Sequence, residues 1–410
     1  MQARKASLTV LKKLVLAIVV LAAAAWLALN PMSLSNYALL YYYGLIFVVA
    51  VAFAVMFRGR WRDACVVVAA LTVGLSAIEL ISIHAVARTV NMRQRGTFVA
   101  NAALGWSLGK PGVYWQNKTE GGPHGHVIFD VTYTIDQHSN RLTVSAEHGP
   151  TVAFFGDSMT FGEGIPDDET LPQAFADLTG RKMHVLNLAV PGYGPEHFLR
   201  ALELDLDHDL LKNDPRLFVF LTAPWHAERV SCGSSFTLLG PSYALESGKT
   251  VYKGFCYQQG AKVLSAITSA LASTSTYQMF FKNVAPNVYR YEIDLYVAVL
   301  IRAGQLAREK YGVPTLVLYL TDWPDYVGQI GMTDQQVMQR LRDGGLQVID
   351  ASIDQKAYPG QPLRIPGDGH PTGLANNIRA KMVLQALENL SKDRAETRSA
   401  PESPVTAATP

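Results

Sequence analysis

Two short polar segments of the sequence contain the residue types that nucleophilic acyl transfer requires. Residues 156–158 read Gly-Asp-Ser, and residues 368–370 read Asp-Gly-His. A serine hydroxyl becomes a nucleophile when a base takes its proton, and a histidine oriented by a carboxylate is such a base. The pattern therefore predicts Ser158 as the nucleophile, His370 as the general base, and Asp368 as the carboxylate that orients the base.

A third segment, PGYG at 191–194, is a candidate for oxyanion stabilisation. The negative oxygen that forms when a carbonyl is attacked needs fixed N–H donors close to the nucleophile. The backbone N–H groups of Ser158 and Gly192 are predicted to be these donors. Each segment alone is also typical of a turn, because Gly, Pro, Asp and Ser are common turn residues. The ordered combination of the three segments is what indicates catalysis.

The elements that must position these residues form an alternating pattern after residue 150. Short apolar runs alternate with helical stretches, and the predicted strands are 151–155, 184–190, 216–222, 313–320 and 346–352. This alternation predicts an α/β fold whose parallel sheet is covered by helices on both faces. In such a sheet functional residues lie at the carboxyl ends of the strands, where all three segments fall.

The ordered motifs resemble those of the SGNH, or GDSL, hydrolase superfamily over residues 150–388. GDSMTFGEG resembles the first family block, NLAVPGYG the block with the oxyanion glycine, and DGHP the block with the acid and the base. The resemblance implies a three-layer α/β/α fold with a five-stranded, flavodoxin-like parallel sheet. It also implies acyl-ester chemistry without a metal or other cofactor, with Ser158, Asp368 and His370 as the triad and Gly192 in the oxyanion hole.

Two features depart from the family pattern. The third family block is usually Gly-x-Asn-Asp, whose asparagine completes the oxyanion hole, but the equivalent stretch FLTAPWHAERV has no asparagine. His226 or Thr222 is expected to donate in its place, or the hole has only two donors. In addition, Asp368 and His370 are separated by one residue, where two are commoner in the family. Because one oxyanion donor is worth about 10²-fold in rate or more, the first departure concerns catalytic efficiency and leaves the fold prediction unchanged.

Three apolar runs near the N-terminus, at 14–29, 37–57 and 64–87, predict a membrane anchor of three transmembrane helices over residues 1–87. The second and third runs are long enough to cross about 30 Å of hydrocarbon. A cleaved signal peptide is the alternative for the first run. Basic residues lie before the first run and after the second, whereas the loop between them has none. The positive-inside rule therefore predicts a multi-pass membrane protein whose catalytic domain is periplasmic or extracellular.

The rest of the chain divides into three predicted parts. Residues 88–150 are a polar lead-in, in which VIFDVTYTID, the turn HSNR and LTVSA predict a β-hairpin. Residues 151–390 are the predicted SGNH-hydrolase-like catalytic domain, with a loop-rich insertion at about 223–290. Residues 391–410 are polar and Pro-rich, which predicts a disordered tail.

Cysteine content and net charge limit the partners. Cys232 and Cys256 lie in the soluble part, where an oxidising compartment would allow them to form a disulfide. A formal net charge of +2 argues against a nucleic-acid partner. The expected partners are a membrane and an acyl-ester substrate, with a glycan or a lipid as the alternatives for the molecule that carries the ester.

Three functions are compatible with these motifs. The first is a membrane-anchored serine esterase that cleaves acyl or acetyl esters through an acyl-Ser158 intermediate. The second is an O-acyltransferase that moves the acyl group onto an envelope glycan hydroxyl, and the third is a non-catalytic glycan-binding module on the same fold. The motifs do not separate the first two functions, because water and a sugar attack the same acyl-enzyme.

Overall fold

A computed structural model describes residues 38–86, 90–94, 97–120, 125–233, 237–259, 274–280, 288–321 and 325–399. The chain divides into two compact units. One comprises Met1–Thr89 and Ala266–Ala285, and the other comprises Val90–Ser265 and Pro286–Pro410. The candidate catalytic residues all belong to the second unit.

The helices and strands are numbered here in chain order. Along the described residues the helices are α1 (Ala38–Met56), α2 (Arg60–Val86), α3 (Ser158–Phe161), α4 (Leu171–Leu178), α5 (Pro195–Leu204), α6 (His208–Leu211), α7 (His226–Val230), α8 (Ser275–Phe280), α9 (Arg290–Tyr311), α10 (Asp334–Asp343) and α11 (Gly373–Ser399). The strands are β1 (Val90–Gln94), β2 (Phe98–Asn101), β3 (Gly105–Leu108), β4 (Gly112–Glu120), β5 (His126–Ile135), β6 (Thr151–Phe155), β7 (His184–Asn187), β8 (Pro215–Thr222), β9 (Pro241–Glu246), β10 (Lys249–Phe255), β11 (Thr315–Tyr319) and β12 (Gln347–Asp350).

The first unit contains two helices that are long and apolar enough to cross a membrane. Leu39–Met56 and Arg60–His84 each have a mean hydropathy of 2.3, and most of their side chains are not buried inside the protein. This exposure distinguishes them from the core helices of a soluble protein, which bury their apolar side chains. The predicted first span at 14–29 lies outside the described residues, so the structure contains two of the three predicted helices.

A carboxylate in α2 is satisfied by a segment from far along the chain. Glu79 is buried, and its two carboxylate oxygens accept hydrogen bonds from the backbone N–H groups of Ser275 (2.9 Å) and Thr276 (3.0 Å) at the start of α8. A buried carboxylate is costly unless it is hydrogen-bonded, and the positive end of a helix stabilises it further. Part of the predicted insertion thus belongs to the helical unit.

The centre of the second unit is a parallel sheet with the strand order β7-β6-β8-β11-β12. Alternate residues of β6 face opposite layers. Val152 and Phe154 pack with residues of α4 and α11, whereas Ala153 and Phe155 pack with residues of α5 and α9. Both faces of the strand are buried, which explains why its sequence is apolar throughout. The predicted three-layer α/β/α fold with a five-stranded, flavodoxin-like parallel sheet is confirmed.

The predicted strand positions agree with the structure more closely than the strand lengths do. All five predicted strands are present, but β7 ends at Asn187, whereas 190 was the predicted end. The apolar residues Leu188, Ala189 and Val190 are buried in the loop that follows, so their hydrophobicity reflects burial and not strand pairing. Helix α10 begins with a capped turn, because the side-chain oxygen of Thr333 accepts a hydrogen bond from the Gln336 N–H (3.2 Å).

The predicted hairpin of the lead-in has a different partner strand. The stretch VIFDVTYTI does form a strand, β5, but it pairs antiparallel with the preceding strand β4, and β4 also pairs with β1. The predicted partner LTVSA is not a strand. The chain does turn back on β5 where predicted, since Arg141 forms an antiparallel β-bridge with Ile135 and the Leu142 N–H donates to the Thr134 carbonyl oxygen (2.9 Å). This segment lies along the edge strand β7 of the central sheet. Arg141, just before it, forms an isolated β-bridge with Asn187, and the Val185 N–H donates to the side chain of Ser145 (3.1 Å).

The lead-in is part of the same compact unit as the sheet. Tyr133 and Ile135 of β5 belong to a buried apolar cluster that also contains Phe161 of α3 and Val190 of the loop after β7. These last two residues flank the candidate catalytic segments. The strands before residue 150 therefore help to form the site.

The insertion and the C-terminus contain more regular structure than the sequence predicts. The insertion includes the hairpin of β9 and β10, and Cys232 is joined to Cys256 by a disulfide with a Cα–Cα distance of 5.5 Å. Helix α11 continues to Ser399, beyond the predicted start of the disordered tail at 391. Residues 391–399 are rich in the helix formers Ala, Glu, Lys and Arg, and extending an existing helix costs little. Residues 400–410 lie outside the described residues.

Candidate active site

Ser158 lies at the carboxyl end of β6, at the first position of the short helix α3. The strand ends at Phe155, and Gly156 turns the chain with a positive φ of 149°. A Cβ at Gly156 would lie 2.5 Å from the Thr160 side-chain oxygen, so only glycine fits this turn. Asp157 is the N-cap of the helix and accepts a hydrogen bond from the Met159 N–H (2.9 Å).

The Asp157 carboxylate lies at the centre of a buried charged group beneath the nucleophile. Its Oδ2 accepts hydrogen bonds from His226 Nε2 (3.0 Å) and from Arg229 Nη1 (2.8 Å). Burial alone raises the pKa of Asp157, but the charge of Arg229 and the hydrogen bond from His226 outweigh it and hold the pKa well below its usual range. Asp157 is therefore a buried, ionised anchor for the loop.

The structure brings Ser158, His370 and Asp368 together. The Oγ of Ser158 lies 2.8 Å from Nε2 of His370, and Nδ1 of His370 is hydrogen-bonded to Oδ1 of Asp368. The backbone N–H of His370 also donates to the same Asp368 oxygen (3.0 Å). The loop before α11 thus holds Asp368 and His370 against Ser158 of α3, with the contacts that a catalytic triad requires.

A lysine that the sequence analysis did not single out completes this group. Lys118 of β4 forms an ion pair through Nζ with Oδ2 of Asp368, the oxygen that His370 does not use. The side chain of Asp368 is fully buried, so its negative charge needs such partners. Gln116 and Lys118 are two positions apart in the strand, so they share one face of it. Lys118 belongs to none of the motifs of the sequence, so no sequence signal pointed to this contact.

Glu163 is a second carboxylate at the site. Its Oε2 lies 3.8 Å from Nε2 of His370, and its backbone N–H donates to the carbonyl oxygen of Ser158 (3.0 Å). Burial raises the pKa of Glu163; the His370 charge opposes this rise and the Asp368 charge adds to it. Glu163 is part of the motif GDSMTFGEG, and the sequence analysis assigned it no role.

The charges around His370 determine its proton affinity. Burial lowers the pKa of His370, but the hydrogen bond to Asp368 and the negative charges of Glu163 and Asp368 outweigh it, so the pKa is raised overall. Burial raises the pKa of Asp368, but hydrogen bonds from His370 and Lys118 hold it well below its usual range. Asp368 is therefore ionised when His370 gains a proton, which is the state that stabilises an imidazolium.

The predicted oxyanion donors are the backbone N–H groups of Ser158 and Gly192. Among the described residues, no acceptor is hydrogen-bonded to the N–H of Ser158 or of Gly192. The loop with Gly192 is tied to the nucleophile's turn, because the Val190 N–H donates to the carbonyl of Gly156 (3.2 Å). Arg229 braces the same loop by donating from Nη1 to the carbonyl of Tyr193 (2.7 Å). The glycine itself has a φ of 87°, in the region that favours glycine.

The predicted third donor is contradicted. His226 is fully buried, with Nε2 directed to Asp157 and Nδ1 hydrogen-bonded to Thr222 Oγ1 (2.9 Å). Burial and the Arg229 charge lower the pKa of His226, which favours the neutral ring. Both ring nitrogens already have hydrogen-bond partners. Thr222, the alternative donor, is also buried and is bonded to His226 and to the Tyr296 hydroxyl (3.0 Å). Of the three predicted alternatives, only an oxyanion hole with the two backbone donors of Ser158 and Gly192 stays a prediction.

Comparisons with known proteins add little to this geometry. No protein-family model matches the chain, and no curated protein matches it. A structural match is found to a provisionally assigned lipolytic protein of the G-D-S-L family from Desulfitobacterium hafniense DCB-2. It covers 57% of this chain and 99% of that chain, at 10% sequence identity and a TM-score of 0.29. A likeness this weak carries no argument about activity, so the interpretation of the site depends on its own residues.

Proposed function

We propose that this protein is a membrane-anchored serine esterase that cleaves acyl or acetyl esters through an acyl-Ser158 intermediate. The observation that carries the proposal is the contact of 2.8 Å between Ser158 Oγ and His370 Nε2, with Asp368 on the other ring nitrogen. A glycan-binding module has no need for a histidine poised on a serine hydroxyl. The same contact supports membership of the SGNH hydrolase superfamily, which the motifs of the sequence resemble.

The first half of the reaction forms the acyl-enzyme. His370 Nε2 takes the proton of Ser158 Oγ as that oxygen bonds to the ester carbonyl carbon. The carbonyl oxygen becomes negative and is stabilised by the N–H groups of Ser158 and Gly192. The bond to the leaving alkoxide then breaks, and His370 returns the proton to the leaving oxygen.

Helices α1 and α2 support the anchoring part of the proposal. Their length and hydropathy suit a bilayer, and the catalytic unit follows them in the chain. The charge pattern of the sequence favours a periplasmic or extracellular catalytic unit. The disulfide between Cys232 and Cys256 agrees with that location, because disulfides persist in oxidising compartments.

The rate of ester cleavage is expected to fall in acid with an apparent pKa above the ordinary histidine value of about 6.5. His370 must be neutral to accept the proton of Ser158, and Asp368 and Glu163 raise its pKa. As pH falls through this raised pKa, His370 becomes protonated and kcat/KM declines. A profile of kcat/KM against pH for a p-nitrophenyl ester measures the value. An apparent pKa of the acid limb below the ordinary histidine pKa would contradict the assignment of His370 as the base.

Replacing Lys118 by methionine is expected to lower kcat about tenfold at neutral pH and to move the acid limb to higher pH. Without the ammonium group the whole charge of Asp368 acts on His370, so the imidazolium is stabilised and the pKa of His370 rises. A charge-assisted hydrogen bond to Asp368 is also lost, which is worth about 1.5–3 kcal/mol. The measurement is the pH profile of kcat. The Lys118→Arg variant keeps the charge and should retain most of the wild-type pH profile. If the acid limb of Lys118→Met lies at the wild-type pH, the charge of Lys118 does not act on His370 and its role is packing.

Hydrolysis and transfer are separated by product analysis. The full chain in detergent is incubated with a p-nitrophenyl acetate, with and without an acetyl-free oligosaccharide, and both free acetate and acetylated sugar are measured. An esterase releases free acetate in both reactions. Acetylated sugar formed at the expense of acetate would make the protein an O-acyltransferase with the same triad.

A further inference from the structure

The carboxylate of Glu163 lies where the second half of the reaction takes place. Its Oε2 is 3.8 Å from the nitrogen of His370 that accepts the proton of an attacking nucleophile. Among the described residues, no donor is hydrogen-bonded to this oxygen, and the side chain is about one-tenth exposed. At 3.8 Å, Glu163 Oε2 is too far from His370 Nε2 for a direct hydrogen bond, but the distance allows one water oxygen to lie within hydrogen-bond distance of both atoms.

The other oxygen of Glu163 is held in place from the lead-in strands. Oε1 accepts a hydrogen bond from Gln116 Nε2 (3.3 Å), and the Gln116 side-chain oxygen accepts one from the hydroxyl of Tyr133. The Tyr133 hydroxyl in turn accepts a hydrogen bond from the Gly164 N–H (2.8 Å), next to Glu163 in the chain. One carboxylate oxygen is therefore anchored, and the other is directed to the reaction side.

The loop that carries Glu163 is braced by a buried arginine. Arg141 donates to three backbone carbonyls of this loop, at Phe161 (3.3 Å), Gly162 (3.2 Å) and Ile165 (3.0 Å). Its Nε donates to Asp167 (2.7 Å) at the end of the loop. This bracing fixes the backbone on both sides of Glu163, so the position of the carboxylate is set by the fold and not by chance rotation of an exposed side chain.

We propose that Glu163 positions the attacking water of deacylation and so favours water over an alcohol as the acceptor of the acyl group. This inference rests on the esterase function proposed above and specifies its second half. Water has two protons: one hydrogen bond goes to His370 Nε2 and the other to Glu163 Oε2. An alcohol has only one hydroxyl proton, which His370 takes, so it gains nothing from Glu163.

The step balances in atoms and protons. The water oxygen bonds to the acyl carbon while one proton passes to His370 Nε2, and the other proton stays on the oxygen and is hydrogen-bonded to Glu163. The bond between the acyl carbon and Ser158 Oγ then breaks, and His370 returns its proton to Oγ. The products are free Ser158 and a carboxylic acid, which ionises in solution.

The test compares the two halves of the reaction in Glu163→Gln. The amide oxygen of the new side chain can keep the contact with Gln116, but the anionic acceptor for the water proton is lost. With a p-nitrophenyl ester we expect the first p-nitrophenol per active site to be released at a rate within about threefold of wild type. We expect subsequent turnover to fall about 10- to 100-fold, the range for a lost charge-assisted hydrogen bond.

The acceptor preference gives a readout that a structural role would not change. With methanol added, the ratio of methyl ester to free acid is expected to rise about tenfold or more in Glu163→Gln, because only the water reaction is slowed. Glu147→Gln is the matched control, since it removes one exposed carboxylate from the same unit. If Glu163→Gln has a lowered unfolding midpoint, Glu163→Asp is measured in the same way, since it keeps the charge but withdraws it from His370.

The outcomes distinguish this inference from the esterase proposal. An unchanged product ratio, or equal losses in both halves of the reaction, overturns the role of Glu163 while the esterase function stands. If wild-type protein releases no p-nitrophenol and is not labelled by a fluorophosphonate, the esterase function itself fails. A turnover that falls together with a raised ratio of methyl ester supports the inference.

Discussion

Replacing Ser158 by alanine is expected to lower ester turnover by about 10³-fold or more and to abolish covalent labelling by a fluorophosphonate. The probe forms a bond between its phosphorus and Oγ as fluoride leaves, and this needs a serine that His370 deprotonates. Among the residues that the structure describes, His370 is the only one whose side chain is hydrogen-bonded to Ser158 Oγ, so the fold should not change. Gel-based labelling and a steady-state assay measure the two effects.

The control for this prediction is Ser391→Ala. Ser391 is an exposed serine of α11 whose hydroxyl donates only to a backbone carbonyl in the same helix. It should be labelled and active like wild type. Persistent labelling of Ser158→Ala would mean that another residue is the nucleophile, and the triad would have to be assigned again.

Replacing Asp157 by alanine is expected to lower the free energy of unfolding by about 3–5 kcal/mol. The substitution leaves the guanidinium of Arg229 and the buried N–H of His226 without their carboxylate, and it removes the N-cap of α3. Asp157→Asn keeps a side-chain oxygen for the Met159 N–H and should lose less. Urea unfolding of the full chain in detergent, followed by tryptophan fluorescence, measures the change.

The pH dependence of stability provides a second readout for Asp157. Its pKa is lower in the folded protein than the usual value near 3.9 in an unfolded chain. The contribution of Asp157 is therefore fully present above that usual value and is lost as pH falls towards the folded pKa. Asp157→Ala should show less acid destabilisation than wild type. Asp168→Ala, which removes an exposed carboxylate, is the control and should unfold like wild type in both respects.

The sheet could be predicted because its strands are buried on both faces. Continuous apolar runs such as 151–155 and 216–222 have no solvent-facing side, so their sequence alone indicates strands between two helical layers. Strand pairing in the lead-in could not be predicted in the same way. The alternation of β5 shows that a strand exists, but it holds no information on whether its partner lies before or after it in the chain.

The contacts among Ser158, Asp368 and His370 could be predicted because these residues belong to motifs with a fixed order along the chain. Lys118 could not, because it lies 250 residues from Asp368 in the sequence and belongs to no motif. His226 was assigned to the oxyanion hole for its type and its position after β8. In the structure the His226 ring is hydrogen-bonded to Asp157 instead. A buried carboxylate needs hydrogen-bond donors, and the buried imidazole N–H supplies one.

The lead-in strands also set the limits of any soluble form of this protein. A recombinant fragment that starts at Thr151, where the central sheet begins, keeps all three triad residues but loses Lys118. It also uncovers Phe161, which packs against the lead-in beside the nucleophile. Any activity measured on such a fragment would therefore be that of an incomplete site. The second compact unit begins at Val90, so the chain between the apolar helices and the sheet belongs to that unit and cannot be treated as a tether.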